Sequence, residues 1–444
     1  FEARLTFYDR AAPLLLREDP VGAPEEFASS PAPHIFVQGA TGGLFVWPDE
    51  WGSSVTLDST LQPGDRVRVT GRTGPGAFVP IIEETELQVL GSEAFPAPVS
   101  PPPSTLLSGR YDSEWIQLEG VVRRARVMDE VLTFRMAAGR EIVDVTVPNV
   151  PAVPSDLVDS RVSVEGVSGT VFNDNRQLVG LYLASPSLRF VRTVEDRPAP
   201  PFELPVEPIG HLHRFDPETS QNHRVHVTGT ATAQPDERTI YVQDTSGALR
   251  VELLREREIA RGQPVSVAGF PRVGTYRPVL RHAEIQIRET GPSLEPAHLT
   301  RLDSLGAHQG ERVRVSADLI STTELPTGLR LTLHGEKRVA EAHLASEDPV
   351  SEFRPGSRLA IEGVVRVPAR TGDGSDGLET DLIVPNPGAI TVLEEAPWWT
   401  PGRALLVAGA LVGVVVLAGG WVFALRRRVR EQTEHIRTQM EKEH

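Results

Sequence analysis

The sequence predicts an all-β protein: tandem small Greek-key barrels in two A–B pairs, followed by one transmembrane α-helix and a short cytoplasmic helix. Two different segments each recur once, at offsets of 197 to 205 residues, and many strands alternate polar and apolar residues. One uncharged apolar run stands near the end of the chain. Glycine and proline, 38 of each among 444 residues, favour short strands and turns over long helices.

The charge balance and the lack of cysteine exclude several classes of protein. The 45 Lys and Arg residues and 60 Asp and Glu residues give a formal net charge of −15. A nucleic-acid binder neutralises phosphates with a basic surface, so we expect no nucleic-acid partner. Without cysteine the sequence offers no disulfide, thiolate metal site, iron–sulfur cluster or cysteine nucleophile.

The first repeated unit, module A, returns as module A′. HIFVQGATGGLFV at 34–46 aligns without a gap with TIYVQDTSGALRV at 239–251, at an offset of 205. The match resumes with PGDRVRVTG at 63–71 and RGQPVSVAG at 261–269, where the offset is 198. Module A therefore carries a loop seven residues longer, within 47–60.

A second unit, module B, alternates with the first and returns as module B′. EWIQLEGVV at 114–122 aligns with ERVRVSADL at 311–319, and RVSVEGV at 161–167 aligns with RLAIEGV at 358–364. Both matches have an offset of 197. The order is therefore A–B–A′–B′.

Proline-rich linkers separate the units. They lie at 96–104, 197–208 and 291–296. The predicted units are OB-like module A at 1–95, module B at 105–195, module A′ at 208–290, module B′ at 297–395, the transmembrane helix at 404–425 and the start of a cytoplasmic signalling coiled coil at 426–444.

Each module reads as about five short strands. Runs such as RVRVT at 66–70 alternate polar and apolar residues, so each strand buries one face. We expect four glycines to end a strand with a bulge or sharp bend: Gly71, Gly166, Gly269 and Gly363. Five strands with such a bend suit a Greek-key barrel of the OB type, whereas the competing immunoglobulin-like sandwich needs about seven.

An uncharged run at 404–425 predicts a membrane span and its orientation. At a rise of about 1.5 Å per residue this helix crosses a hydrocarbon core of about 30 Å. Trp398 and Trp399 precede it as an interfacial aromatic belt. Four arginines follow it and mark the cytoplasmic end: Arg426, Arg427, Arg428 and Arg430. The tail carries net +2, which leaves −17 for residues 1–425.

The span and the tail together predict a helical homodimer. Gly409 and Gly413 form a GxxxG pair that lets two helices approach closely. Beyond the membrane, Val429 and Ile436 lie seven residues apart, which resembles a weak parallel coiled coil, although a free polar tail is the alternative. Since the chain begins at Phe1 without Met, we expect an export signal upstream, and we expect the helix to continue past His444.

The order of the strand motifs resembles that of OB-like modules in extracytoplasmic sensor regions of bacterial membrane sensor histidine kinases. The pattern stands at 34–46, 61–71 and 76–82, and again at 239–251, 259–269 and 274–280. WIQLEGVV at 115–122 is similar to the family's partner module, and 425–443 to the helix that leads into PAS and kinase domains. Gly39 departs from the pattern, because the family has Asp there, as Asp244 has in module A′.

The resemblance implies a receptor of the bacterial cytoplasmic (inner) membrane that serves a two-component system. Residues 1–403 would be extracytoplasmic and 426–444 cytoplasmic, with a histidine kinase or a diguanylate cyclase as the missing effector. The sequence itself contains no nucleotide-binding glycine box. His435 in EHIR lacks the setting of a phosphoacceptor and reads as a solvated helix residue.

Two polar segments are weak metal-site candidates. A His-x-His pair on a strand places two imidazoles on one face, so zinc or copper is conceivable, but scattered surface histidines are common. The four residues are His211, His213, His223 and His226. The loop 372–381 carries four carboxylates, yet its spacing does not match a calcium-binding loop and it reads as an acidic hairpin tip. We therefore expect no metal and no cofactor.

Aromatic residues provide the candidate ligand surface. Phe36 and Tyr241 could stack on a sugar or base, with packing as the alternative. Trp47 and Trp51, in the longer loop of module A, could cover a carbohydrate or peptide, with capping of the barrel edge as the alternative.

The sequence predicts the extracytoplasmic sensing and transmembrane signalling part of a sensor kinase, with an unidentified ligand or protein partner. No Gly-x-Ser-x-Gly, His-Glu-x-x-His or phosphate loop is present, so no catalytic site is predicted. The alternative is a membrane-anchored envelope protein whose β modules bind or space a partner and send no signal inward.

Overall fold

The computed structural model describes most of the chain, in segments. They are residues 1–9, 34–47, 61–76, 79–172, 178–213, 223–272, 279–291, 294–326, 328–335, 338–345, 353–366, 381–396 and 401–440. The chain divides into two compact units, one formed by Phe1–Glu295 with Gln309–Glu311 and the other by Pro296–His308 with Arg312–His444. Modules A, B and A′ belong to the first unit, and module B′ and the long helix belong to the second.

Module A is a closed five-stranded barrel. Its strands follow the spatial order β1–β2–β3–β5–β4, and β1 also pairs with β4. The pairing of β3 with β5 is parallel, whereas the others are antiparallel. The strands are β1 (Glu2–Asp9), β2 (His34–Gln38), β3 (Gly43–Val46), β4 (Asp65–Gly74) and β5 (Ile81–Ser92).

Module B repeats this arrangement and adds one strand. The order is β10–β8–β7–β6–β9–β11, and a further pairing of β10 with β9 closes five strands into a barrel. Strands β8 and β10 are parallel, as β3 and β5 are in module A. The strands are β6 (Trp115–Met128), β7 (Val131–Ala138), β8 (Glu141–Val147), β9 (Arg161–Phe172), β10 (Leu178–Ala184) and β11 (Val191–Glu195).

The five barrel strands of modules A′ and B′ have the same topology as those of their counterparts. In A′ the closed order is β12–β13–β14–β16–β15, with β14 and β16 parallel. In B′, pairing of β18 with β21 closes the barrel, β20 and β22 are parallel, and β17 and β23 are added at the edges.

The strands of these two modules have the following bounds. Module A′ contains β12 (Val225–Asp236), β13 (Thr239–Gln243), β14 (Ala248–Leu253), β15 (Pro264–Arg272) and β16 (Val279–Ile287). Module B′ contains β17 (Ala297–Leu299), β18 (Arg312–Leu325), β19 (Gly328–His334), β20 (Val339–Ala345), β21 (Arg358–Arg366), β22 (Asp381–Val384) and β23 (Ile390–Glu394). A 3-10 helix precedes the first barrel strand of both B-type modules, at Pro103–Ser108 and Leu302–His308.

Each barrel has its own apolar core, formed by the alternate residues of its strands. In β4, Val67 and Val69 are buried while Arg66 and Arg68 are exposed. Full burial of one such aliphatic side chain stabilises the fold by about 1.5–3 kcal/mol. The predicted fold class, tandem five-stranded OB-like barrels followed by one long apolar helix, is confirmed, and closed barrels exclude the sandwich alternative.

The bend that the two A-type modules share lies at Gly71 and Gly269. A Cβ on Gly71 would lie 2.6 Å from Ile82 Cγ2, and one on Gly269 would lie 2.9 Å from Ala283 Cβ. The register shifts at both positions, which is the expected bulge. The strands do not end there, however, and run on through the glycine to Gly74 and Arg272, because the bulged strand keeps its pairing with the next strand.

The chain continues into one helix, α1 (Pro401–Met440), of 40 residues. At about 1.5 Å per residue it is roughly 60 Å long, about twice the thickness of a hydrocarbon core. Its segment Ala404–Thr433 is long and apolar enough to cross a membrane, and none of its most apolar part is buried by the protein. A single unbroken helix thus joins the predicted span to the predicted cytoplasmic segment.

Candidate functional site

The two aromatic residues predicted to stack on a ligand are buried. Phe36 on β2 is 2% exposed and Tyr241 on β13 is 5% exposed. Phe36 points away from the barrel core and packs against Phe7 and Phe45, with ring centroids 6.4 and 5.0 Å away. Ligand binding by Phe36 and Tyr241 stays a prediction that their burial does not favour, since a stacking platform needs an open ring face.

The longer loop of module A contributes one described residue to the candidate ligand surface. Trp47 is half-buried, its ring lies 5.8 Å from that of Phe45, and its backbone N–H donates to Ile82 O across 2.7 Å. These contacts match capping of the barrel edge. Trp51 lies outside the described residues, so binding of a carbohydrate or peptide by this loop stays a prediction.

The four histidines do not lie on one strand face. His211 and His213 belong to a 3-10 helix, Ile209–His213, where the predicted strand geometry does not apply. His226 on β12 is 5% exposed, and its two ring nitrogens contact Leu204 O at 2.9 Å and Ser266 Oγ at 2.6 Å. His223 contacts Asp159. Among the described side chains, the imidazoles of His211, His223 and His226 do not form a group that could hold a metal ion, and the side chain of His213 lies outside the described part.

A different group has metal-ligand geometry. The ligand atoms of Glu341, His343 and Asp381 all lie within 4.8 Å of one another, on the parallel strands β20 and β22. Arginines also reach both carboxylates: Arg366 lies 2.9 Å from Asp381, and Arg330 lies 3.4 Å from Glu341. Burial alone would raise the pKa of Asp381, but hydrogen bonds from His343 and Arg366 outweigh it and lower that pKa. We therefore interpret the group as an ion-pair network, in which Arg330 and Arg366 balance the negative charges of Glu341 and Asp381.

The acidic loop 372–381 is described only at Asp381. That residue begins β22 and belongs to the network above rather than to a hairpin tip. The rest of the loop lies outside the described residues.

Modules A and B share a buried aromatic junction. Phe7 and Phe36 of module A form one apolar cluster with Trp115, Val167 and Ala184 of module B, all of them buried. Trp115 is fully buried, and its ring lies 4.9 Å from Phe95 and 5.2 Å from Phe190. Such rings contribute both apolar burial and edge-to-face packing. The A–B joint is thus a packed interface rather than a loose tether.

Modules B and A′ meet at a charged junction. Asp159 of module B is 2% exposed, and its Oδ1 accepts the backbone N–H of Arg224 across 3.0 Å and lies 3.2 Å from His223 Nδ1. This hydrogen bond with Asp159 raises the pKa of His223 above its usual value, despite partial burial. Beside it, the guanidinium carbons of Arg123 and Arg224 lie 5.8 and 5.2 Å from the centre of the Phe270 ring.

Five arginines and a histidine gather along this B–A′ junction, and we call them the arginine cluster. Its members are Arg123, Arg124 and Arg135 of module B and Arg272, Arg281 and His282 of module A′. Arg124 and Arg135 are direct cross-strand neighbours on β6 and β7. Asp144 binds Arg135 at 2.7 and 3.0 Å, and Glu252 binds Arg281 at 2.5 Å.

Burial and neighbouring charges shift the pKa values of several groups in the cluster. Burial, together with Arg272 and Arg281, lowers the pKa of Arg123 to about 10. Burial and four surrounding arginines lower the pKa of His282 to about 3. Burial and a neighbouring cation both disfavour a positive charge and act in the same direction here, whereas the interaction with Asp144 raises the pKa of Arg135.

Sequence reasoning missed the arginine cluster, although part of its signal is visible. The sequence contains the run RRAR at 123–126 and, further along, Arg272 and the adjacent residues Arg281 and His282. They stand on β6, β15 and β16 of two different modules. Only the docking of A′ against B brings them together, and no repeat or periodicity predicts that.

The helix presents its predicted contact residues to the outside. A Cβ added at Gly409 or Gly413 would meet no described atom within 4 Å, so this face is open to another helix. Arg426, Arg427, Arg428 and Arg430 are exposed just after the apolar run. Trp398 and Trp399 lie outside the described residues, so an interfacial role for them stays a prediction.

Comparison with known proteins gives no relative by sequence. No family model matches the chain, and no curated protein matches it. Among solved structures, a murine DNA-binding protein bound to double-stranded DNA is 12% identical, covering 40% of this chain and 98% of its own, with a TM-score of 0.24. A p204 HINb domain is 12% identical over 38% of this chain and 95% of its own, with a TM-score of 0.17.

A third similar structure is a putative aspartyl-tRNA synthetase from Leishmania major Friedlin. It is 16% identical, covering 26% of this chain and 24% of its own, with a TM-score of 0.18. At such identities and TM-scores, what these proteins bind or act on has no bearing on this chain.

Proposed function

We propose that this chain is the extracytoplasmic sensing and membrane-spanning part of a sensor protein, and that it relays ligand or partner binding through a dimeric helix to a cytoplasmic effector. The observation that supports this is the unbroken helix α1, which is about twice as long as the hydrocarbon core of a membrane is thick. A simple anchor needs only the apolar half. The charged second half suits a rigid connection from the membrane to a following domain.

The flanking charges support the orientation in this proposal. The arginines that follow the apolar run favour a cytoplasmic C-terminal end. Residues 1–403, with all four modules, are then extracytoplasmic, and the protein is a single-pass protein of the bacterial cytoplasmic membrane. The effector is a histidine kinase or a diguanylate cyclase in this proposal, which follows the sequence resemblance.

Signalling of this kind requires that the helix has a partner. Gly409 and Gly413 lie on one face of α1 and leave room for a close helix–helix contact. Beyond the span, Leu425 and Val429 are 54% and 55% exposed and begin a heptad-like seam. A ligand that favours one arrangement of the modules over another could then shift this dimer, and it acts only through that difference in affinity.

A second function is favoured by a different observation. The A–B joint is a buried aromatic interface, which suits a rigid spacer as well as a sensor. A membrane-anchored envelope protein that binds or holds a partner without sending a signal would use the same modules and the apolar half of α1. Whether the second half of the helix α1 forms a dimer distinguishes the two functions.

The absence of cysteine allows a clean cross-linking experiment on full-length chain in membranes. Leu406 lies on the Gly409–Gly413 face and Leu411 on the opposite one, and both leucines are exposed. Five turns further on, Arg427 lies on the face of Gly409, and Val429 lies on the face of Leu411. On oxidation, a dimer through the Gly409–Gly413 face should link L406C and R427C, whereas a dimer through the Leu425–Val429 seam should link L411C and V429C. Cross-linking within the span alone would favour the anchor, and no cross-linking at any of the four positions would overturn the dimeric relay.

Reading the gene beyond the codon for His444 tests the effector directly. A continuing helix followed by a kinase or cyclase domain is the result expected of a sensor. A stop codon within a few residues would overturn the relay and leave the anchored binding protein, whose partner a pull-down with the extracytoplasmic region should then identify.

A further inference from the structure

We propose that two copies of α1 pack against each other along the heptad seam, and that Trp421 of each copy stacks on Arg426 of the other. The inference rests on the dimeric relay proposed above and names the contact that holds the dimer where the helix leaves the membrane. The occupant of this helix face is thus a second copy of the same chain.

The seam that contains Leu425 and Val429 begins inside the span and repeats every seven residues along the unbroken helix. Its a and d positions are all exposed, and they are Val415, Val422 and Val429 at a, and Leu411, Ala418 and Leu425 at d. β-Branched residues at a together with leucine at d favour a parallel pair of helices. The seam therefore has the residue pattern of a two-stranded contact on both sides of the membrane boundary.

The opposite face of α1 does not continue as an apolar contact beyond the span. Gly409 and Gly413 lie about half a turn around the helix from the seam. Past the apolar run, their face carries Arg427 and Glu431, whose side chains form an ion pair at 3.2 Å. The seam instead continues with Val429, which stays 55% exposed unless a partner covers it. A dimer through the seam can therefore extend from the span into the segment that follows.

A groove runs along the seam at the membrane boundary, and its two borders differ in chemistry. Its lining includes the seam residues Ala418, Val422, Leu425 and Val429, with Trp421 at one border and Arg426 at the other. In the heptad, Trp421 occupies position g and Arg426 occupies position e. Trp421 is 71% exposed, so its ring is open to a partner.

These two border residues complement each other between helices and not within one helix. Five residues turn an α-helix by about 500°, so Trp421 and Arg426 lie about 140° apart around α1 and do not stack on each other. In a parallel pair, position g of one helix faces position e of the other, five residues further on. Twofold symmetry then gives two Trp421–Arg426 pairs. A guanidinium group is attracted to the face of an indole ring, and more strongly where water is excluded, as between two packed helices.

Sedimentation equilibrium of the full chain in detergent micelles measures the dimer dissociation constant and tests the pairing. W421A and R426Q should each weaken dimerisation about tenfold, because each removes both cation–π pairs. The double variant W421A/R426Q should be no weaker than either single variant, since the pairs are lost only once. W421F and R426K, which keep a ring and a cation, should lose less. If Trp421 only contacts lipid and Arg426 only sets orientation, the single variants dimerise like wild type or their losses multiply, and either result would overturn the pairing.

The matched controls remove an aromatic ring and an arginine at the same depth but outside the seam. They are F423A and R427Q, both at exposed positions, and they should dimerise like wild type. Equal losses in these controls would overturn the pairing.

Cysteine cross-linking in membranes separates this inference from the relay on which it rests. The pairing requires that L411C and V429C form disulfide-linked dimers. If L406C and R427C cross-link instead, the seam contact is wrong and the dimeric relay stands. If none of the four positions cross-links, the relay itself is overturned.

Discussion

Glu114 of module B accepts a hydrogen bond from Gln38 of module A, with 2.9 Å between Oε2 and Nε2. Its other oxygen accepts the backbone N–H of Gly43 across 3.1 Å. In module A′ the corresponding turn is closed from within, where Asp244 Oδ1 accepts the N–H of Gly247 across 2.9 Å. Gly39 aligns with Asp244 and has no carboxylate. A carboxylate of the neighbouring module therefore binds the turn of the first module, whereas the third module binds its own turn with a carboxylate of that turn.

This contact predicts a specific cost of removing Glu114. E114A leaves the half-buried N–H groups of Gly43 and Gln38 without their acceptor, and we expect the free energy of unfolding to fall by about 1–3 kcal/mol. Chemical denaturation of the full chain in micelles measures it. E119A removes an exposed carboxylate five residues after Glu114, on β6, and should leave stability within about 0.5 kcal/mol of wild type. Equal effects of the two substitutions would contradict the role of Glu114.

Phe36 provides a second prediction, which separates packing from ligand binding. Because the ring is buried against Phe7 and Phe45, F36A should destabilise the protein by about 3–5 kcal/mol, and F36L should cost clearly less. Thermal unfolding of the full chain measures both. An F36A protein as stable as wild type would show that the ring does not hold the A–B junction, and would return it to the candidate ligand surface.

The barrels could be predicted from the sequence, whereas the surfaces between them could not. Alternation such as Val67 and Val69 between exposed arginines fixes which face of a strand is buried. It does not say that Phe36, on the outer face, is also buried, because that burial comes from module B. Alternation of polar and apolar residues distinguishes the two faces of a strand. It does not tell whether the outer face of the barrel meets solvent or a neighbouring module.

Because sequence alternation does not predict contacts between modules, it also does not predict where the candidate site residues lie. The sequence predicts His211 and His213 on a strand, but they lie in a 3-10 helix. The first residue of that helix, Ile209, donates its backbone N–H to the Asp244 carboxylate across 2.9 Å. This contact between distant residues fixes the local turn. The arginine cluster depends on contact between residues more than 100 positions apart, such as Arg123 and Phe270. Repeats predict equivalent barrels, but docking between unlike modules is not repeated in the sequence.

His223 at the B–A′ junction predicts a pH dependence with a definite sign. Its pKa is raised mainly by the hydrogen bond with Asp159, with Glu195 adding to the effect and burial opposing it. A raised pKa in the folded state contributes stability that is complete below the unfolded pKa of about 6.5 and is lost as the pH rises through the folded value. Wild type should therefore exceed H223Q in melting temperature by more at pH 6 than at pH 9.

The comparison with H223Q isolates this histidine from others that act in the opposite direction. Burial lowers the pKa of His34 to about 4, so His34 destabilises the fold as the pH falls below about 6.5 in both proteins. A difference between wild type and H223Q that stays constant from pH 6 to pH 9 would contradict the ion pair with Asp159.

The network in module B′ predicts how the protein responds to zinc. Glu341, His343 and Asp381 have the spacing of a metal site, but Arg330 and Arg366 lie against the two carboxylates. A cation entering the group would have to displace or approach these arginines, and repulsion would weaken its binding. We therefore expect that zinc and EDTA leave the melting temperature of wild type unchanged.

Removing the competing cations should reverse that result. In the double variant R330Q/R366Q the carboxylates lose their arginine partners, and the free energy of unfolding should fall by about 1–3 kcal/mol in the absence of metal. Zinc should then stabilise the variant in a saturable way, and the further substitution H343Q should abolish the effect, because zinc favours a neutral imidazole ligand. Saturable stabilisation of wild type by zinc would show instead that the network is a true metal site and that the arginines do not exclude the ion.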